Sequence, residues 1–203
     1  MQNNKKANSV RSLVNLYTVV IGVALSLAVV GLVDPQKGLQ SVTLSSALLF
    51  LSFVVTLFPF YHGALRHLDD AYLENENSHI KDGALVVDFM LLFFHGLGFV
   101  ILSLLLQNPA HFAWVLIVLL GIDVVWGVFV HFGSSSISNL SAEAKWTLIN
   151  LIFVLVGGWY LVAQDIYLSD LTSPIKLSLP ILIACTLRTL ADYISCRSFY
   201  FPK

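Results

Sequence analysis

The stretch 88–123, DFMLLFFHGLGFVILSLLLQNPAHFAWVLIVLLGID, decides the fold. Between its two terminal aspartates there is no Asp, Glu, Lys or Arg. A helix needs roughly 20 apolar residues to cross the hydrocarbon core of a bilayer, so the stretch holds two crossings. Asn108-Pro109, near its middle, supplies the tight turn between them. Strands are excluded, because the apolar residues do not alternate and each run far exceeds the roughly 10 residues of a membrane strand.

The same pattern continues outward. No Asp, Glu, Lys or Arg occurs between Arg11 and Asp34, or between Lys37 and Arg66. Hydrophobic residues make up 57% of the 203-residue chain and charged residues 11%, against about 25% charged in a typical soluble domain. So few charges cannot cover a water-facing surface. The sequence therefore predicts an all-α, polytopic integral membrane protein. Its six transmembrane helices are expected near 12–33, 43–67, 84–107, 111–132, 145–167 and 178–198, and residues 1–203 form one transmembrane domain with no soluble domain. Lys5, Lys6 and Arg11 ahead of the first apolar run resemble a secretory leader. The run of about 21 residues is longer than the roughly 7–15 of a cleaved signal, which predicts an uncleaved first helix. Asp34-Pro35 and Gly38 break the chain after that helix. The Gly133–Ser138 run reads as a flexible loop, Ser141 as an N-cap with Glu143 in the first turn, and Ser173-Pro174 as the entry to the last helix. Cys185 and Cys196 fall on one expected helix about 16 Å apart by helical rise, too far to form a disulfide.

Orientation follows from lysine and arginine. With the N-terminus inside, Lys5, Lys6, Arg11, Arg66, Lys81, Lys145, Arg197 and Lys203 lie on the inner side and only Lys37 and Lys176 on the outer, a bias of eight to two. The positive-inside rule then predicts both termini in the cytoplasm and a multi-pass protein of the inner (cytoplasmic) membrane.

Within that frame, five helices carry polar groups at one depth, the cytoplasmic half of the bilayer, and the first helix carries none. On the second helix His62, Arg66 and Asp69 share a stripe at about 100° per residue, with His67 pointing elsewhere and Pro59 expected to kink the helix just before them. Asp88 and His95 share a face of the third helix. Asp123 lies mid-span on the fourth, with Trp126 and Gly127 a turn on, and Asn150 opens the fifth. On the sixth, Arg188 and Asp192 are spaced i,i+4 and are expected to pair. The outer half is nearly free of ionisable groups until Gln164 and Asp165. An unpaired charge at the bilayer centre costs roughly 2.5–3.5 kcal/mol even on insertion scales, so these groups must face the bundle and find partners. The candidate cluster is therefore His62, Arg66, Asp69, Asp88, His95, Asp123, Asn150, Arg188 and Asp192. Each also has a plainer reading: Arg188 with Asp192 as a helix lock, His95 as a bonded core histidine, and Asp69 with Asp70 as a solvated helix end.

Three functions fit such a cluster. Ion or proton conduction, or small-solute transport, as an oligomer where one chain does not close a pore, uses buried carboxylates, histidines and arginines. A non-catalytic anchor or sensor would dock a soluble cytoplasmic partner on the 68–83 loop, as in a bacterial defence system. A membrane-embedded enzyme would hold a lipid head group or phosphorylated substrate on arginine. No catalytic motif supports the last. A metal site is not expected, because Arg66 sits within the stripe that would supply ligands. Nothing predicts a cofactor, and no basic patch with stacking aromatics points to nucleic acid.

Overall fold

The computed structural model describes residues 2–33, 38, 41–74, 82–133, 141–167 and 174–202, with side chains at 7–33, 38, 41–73, 84–129, 141–163 and 174–202. These residues form α1 (Gln2–Leu32), α2 (Leu44–Asp69) continued by a π-helical turn (Asp70–Glu74), α3 (Asp82–Leu104), α4 (Pro109–Gly133), α5 (Ala142–Tyr167), α6 (Pro174–Ser195) and a short α7 (Arg197–Tyr200). The first six are long and apolar enough to cross a membrane, which is the architecture of a multi-span membrane protein. An even number of crossings returns the chain to the end where it began. That end of the bundle, called here the terminal end, carries the start of α1 and the end of α6.

Polarity is inverted relative to a soluble domain. Ser46, Ser52, Thr56, Asn150, Arg188 and Asp192 are buried, while Val19, Phe58, Phe129, Trp159 and Ile194 stand exposed. Backbone groups find partners inside each helix, as hydrocarbon surroundings demand. Serine and threonine hydroxyls follow suit by donating one turn back, as Ser52 does to the Leu48 carbonyl at 2.8 Å.

Helix ends follow local chemistry. Gly38 adopts φ +59° between α1 and α2, a conformation glycine takes without steric cost. Thr43 caps α2 in a reciprocal box with Ser46, each side chain bonding the other's backbone N–H at 3.1 Å. Asn108 caps α4, its side-chain oxygen accepting from His111 N–H at 3.2 Å, with Pro109 at the first helical position, where its missing N–H costs nothing. Ser141 caps α5 as expected, accepting from Ala144 N–H at 3.3 Å.

Several expected boundaries are corrected. α1 begins at Gln2 rather than near 12, because hydropathy marks the span, and no Gly or Pro stops the helix ahead of it. α3 ends at Leu104, where Leu105–Asn108 tighten into a turn. α6 starts at Pro174 and stops at Ser195, with Cys196 turning the chain into α7, so Cys185 and Cys196 do not share a helix, and both thiols are free. The 68–83 segment is not all loop: α2 and its π turn carry helix on to Glu74. Pro59, expected to kink α2 and not to end it, lies inside that one continuous helix. Residues 134–138 of the expected glycine-serine loop lie outside the described residues, as do the side chains of Gln164 and Asp165.

The closest partnerships are α1 with α3, α2 with α6, and α4 with α5. Glycines allow these approaches. A Cβ on Gly63 of α2 would meet the Trp146 ring of α5 at 2.5 Å, and one on Gly127 of α4 would collide with Thr147 of α5. Small residues at crossing points are how membrane helices gain packing without a hydrophobic driving force between them.

Candidate functional site

The polar residues resolve into three neighbouring centres, all toward the terminal end. The first is built on Asp88, in the second turn of α3. Its Oδ2 accepts from Tyr72 Oη at 2.6 Å and lies 3.1 Å from His67 Nε2, and its Oδ1 accepts from Trp126 Nε1 at 3.1 Å. In a regular α-helix His67 and Tyr72, five residues apart, would point about 140° from each other. The wider π turn brings both to one carboxylate oxygen. Trp126 stands edge-on to the His67 ring at 4.8 Å and to Trp146 at 6.0 Å, walling this centre with aromatics.

The second centre is a relay. Asn150 of α5 donates through Nδ2 to Asp123 Oδ2 and accepts through Oδ1 from Arg188 Nε at 2.6 Å. Only this orientation of the amide satisfies both neighbours, because a carboxylate only accepts and a guanidinium only donates. Asn150 thus stands between anion and cation and is bonded to each. Arg188, 2% exposed, also lies over the Phe60 ring at 4.7 Å, a favourable placement for a desolvated cation. His95 Nε2 approaches Asp123 Oδ1 only to 3.8 Å and makes no hydrogen bond. Its ring packs edge-on to Phe60.

The third centre closes the terminal end. Asp192 Oδ2 accepts from Tyr200 Oη at 2.8 Å. Burial, and then the Asp192 carboxylate, push the Tyr200 hydroxyl above its ordinary value, so it remains a donor. α7 folds back across α2: Arg66 Nε donates to the Phe199 carbonyl at 3.1 Å, and His62 lies 3.3 Å from Tyr193 Oη with its ring 4.9 Å from that of Tyr200. Lys145 Nζ ties α5 to α6 through the Ser195 carbonyl at 3.2 Å.

The expected cluster is therefore divided. Asp88, His95, Asp123, Asn150 and Arg188 converge in the interior. His62 and Arg66 belong to the α7 closure with Asp192, and Asp69 makes no hydrogen bond or ion pair among the described residues. The expected Arg188–Asp192 pair does not form: Arg188 Nη1 and Asp192 Oδ1 each lack a hydrogen-bond partner, because Arg188 turns across the bundle to Asn150 and Phe60. His67, read as pointing elsewhere than the His62 and Arg66 stripe, does so and bonds Asp88. One expectation about direction fails. α1, read as contributing no polar group, buries the Tyr17 hydroxyl without a partner and stacks that ring on Tyr61 at 6.0 Å. Tyr72 went unnoticed because an amphipathic-stripe argument assumes α-helical pitch, and only the π turn makes it a ligand of Asp88.

Between the first two centres lies a void of about 20 Å³, bordered by His67, Asp88, His95 and Asp123 with Trp126 and Trp146. About 10–15 Å³ is enough to hold one water, so the void takes one and little more. A second cavity is unlike it. It measures about 520 Å³ and lies among α4, α5 and α6, walled by groups such as Ile117, Leu120, Val156, Gly157, Ile181 and Ala184, with Arg188 also in its lining. Among the described residues no three His, Cys, Asp or Glu side chains are grouped to hold a metal ion. No family model, curated protein or solved structure matches the chain.

Proposed function

We propose that the chain is a gated proton pathway of the inner membrane, oriented with both termini in the cytoplasm. The observation that carries this reading is the one-water void between two buried carboxylates, Asp88 and Asp123, with His67 and His95 at its edges. Protons need only a chain of donors and acceptors, whereas a metal cation crosses with several ligands or waters around it, for which a void of this size has no room. Chains of Asp, Glu and His are the usual material of such relays. A proton from the cytoplasm reaches His67, the partly exposed member, passes to Asp88 and crosses the water to Asp123. Asn150, itself bonded to Arg188, donates to Asp123 and holds that carboxylate at the edge of the void. Beyond Asp123 the path meets the apolar lining of the larger cavity, which acts as a hydrophobic gate until the helices shift. The eight-to-two distribution of basic residues supports the orientation.

The test is dissipation of an imposed pH gradient in proteoliposomes containing a pH-sensitive dye. Wild-type protein should speed dissipation above protein-free vesicles. Asp123→Asn and Asp88→Asn, which keep size and hydrogen bonding while removing the charge, should return it to background with the fold intact. Full flux in both folded variants would refute the reading.

One observation favours a second reading, a sensor for a soluble partner. Tyr72, in the π turn that leads into the segment facing the cytoplasm in this orientation, bonds Asp88 directly, so a change of charge at Asp88 reaches the surface there. If the chain senses rather than conducts, Tyr72→Phe abolishes the response of a docked partner, and no variant alters proton flux.

A further inference from the structure

The large cavity combines two features that a hydrophobic gate does not need. Its volume, about 520 Å³, lies within the roughly 300–1,000 Å³ of small-molecule sites. Its lining is apolar from Ile181 to Leu187 along α6 and from Ile152 to Leu161 along α5, yet it includes Arg188. That guanidinium uses Nε on Asn150, and its Nη1 makes no hydrogen bond. A buried donor of an ionised group left unbonded is expensive, and an acceptor arriving through the cavity would relieve that cost.

Charge and depth define the acceptor. Asp123 and Asp192 already lie near Arg188, so an anionic head would add like charge in a low-dielectric interior. A neutral carbonyl adds none. By helical rise Arg188 lies roughly 10 Å before the end of α6 at Ser195, well inside the hydrocarbon core. The ester carbonyls of a bilayer phospholipid are held at the interface and do not reach that depth. A lipid whose polar end is itself free within the bilayer does.

We infer that the cavity among α4, α5 and α6 binds a neutral isoprenoid lipid with a carbonyl-bearing ring, of the quinone class, its ring carbonyl accepting from Arg188 and its tail running along Ala184 and Ile181 toward the opposite end of the bundle. Val156 and Leu187 are exposed on the cavity walls, so the tail enters sideways from the bilayer. Binding is read by photolabelling and proton movement by flux, so the two readings fail separately.

The experiment uses the full chain in nanodiscs of synthetic phosphatidylcholine and a photoreactive quinone with a decyl tail. Labelled peptides are identified by mass spectrometry. Labelling should fall on 152–161 and 180–188, and decylubiquinone should compete for it whereas stearate should not. Ala184→Phe fills the cavity without touching the polar relay and should abolish labelling while leaving the melting temperature unchanged. Arg188→Gln should weaken competition by about tenfold or more, the loss of one charge-assisted hydrogen bond. Labelling that persists in a folded Ala184→Phe variant, that is spread evenly over lipid-facing residues, or that stearate or excess phospholipid displaces equally well would overturn the assignment.

Discussion

Asn150 is the residue on which the interior depends. It bonds Asp123 on one side and Arg188 on the other, and apart from His95 at 3.8 Å from Asp123 neither has an ion-pair partner among the described residues. Asn150→Leu keeps a similar volume but strands both charges, and should cost about 3–5 kcal/mol, as removal of a partner from a buried ionic network does. The midpoint of unfolding in mixed detergent micelles checks this, and an unchanged midpoint would show that the relay contributes nothing to stability. Cys196 makes a second residue-scale prediction. Burial, and then the nearby Asp192, push its thiol up to about 12. The raised value means that the protonated form is favoured in the fold, an advantage present at neutral pH and lost as pH rises above the ordinary thiol range. Cys196 should therefore resist maleimide at neutral pH in the folded protein and react once the protein is unfolded. That Asp88, Asp123, Asn150 and Arg188 must be interior was legible in the sequence, because charge inside a span has nowhere else to go. Their partners were not. Spacing rules see pairs along one helix, whereas Arg188 is long enough to bond across to another.

At the scale of elements, α2 shows why a stripe argument fails. It packs against α1, α3, α4 and α6, so it has several interior faces. His62 and Arg66 meet α6 and α7 on one side, while His67 meets α3 and α4 on another. One polar stripe was read as one site, but the helix serves two. The spans themselves were legible to within a few residues wherever a cap or proline fixed the boundary, as at Asn108-Pro109 and Ser141. They were less legible at α1, where nothing in the sequence stops the helix, and at α6, where Cys196 gives no breaking signal. The π turn yields a prediction of its own. Tyr72→Phe removes one of the three groups on Asp88 and should speed amide exchange across 68–74 while leaving the other helices protected, because it loosens only that turn. Exchange that is unchanged there, or raised throughout the bundle, would contradict the local role. Gly127→Val should be far more damaging. Its Cβ has no room beside Thr147, so the α4–α5 pair must separate, at a cost of about 1–3 kcal/mol or more, readable as lost monodispersity or a lowered melting temperature.

The whole molecule is a bundle turned inside out, with carboxylates and an arginine in its centre and valine, leucine and phenylalanine on its flanks. Its charged centres are crowded toward the terminal end, and among the described residues the opposite half buries no charged side chain. With that terminal end in the cytoplasm, a cysteine placed at position 75, in a chain lacking Cys185 and Cys196, should escape an impermeant reagent applied outside intact cells, and efficient labelling would reverse the orientation. The most direct test of the central claim, that Asp88 and Asp123 share a space fit for one water and so for protons alone, is ion selectivity in proteoliposomes. Proton flux under a pH gradient is compared with uptake of radioactive sodium and potassium by the same vesicles. The account predicts proton movement above protein-free vesicles, with sodium and potassium uptake at background. Sodium or potassium uptake that matches or exceeds proton flux, or proton flux no faster than the bare bilayer, would contradict it.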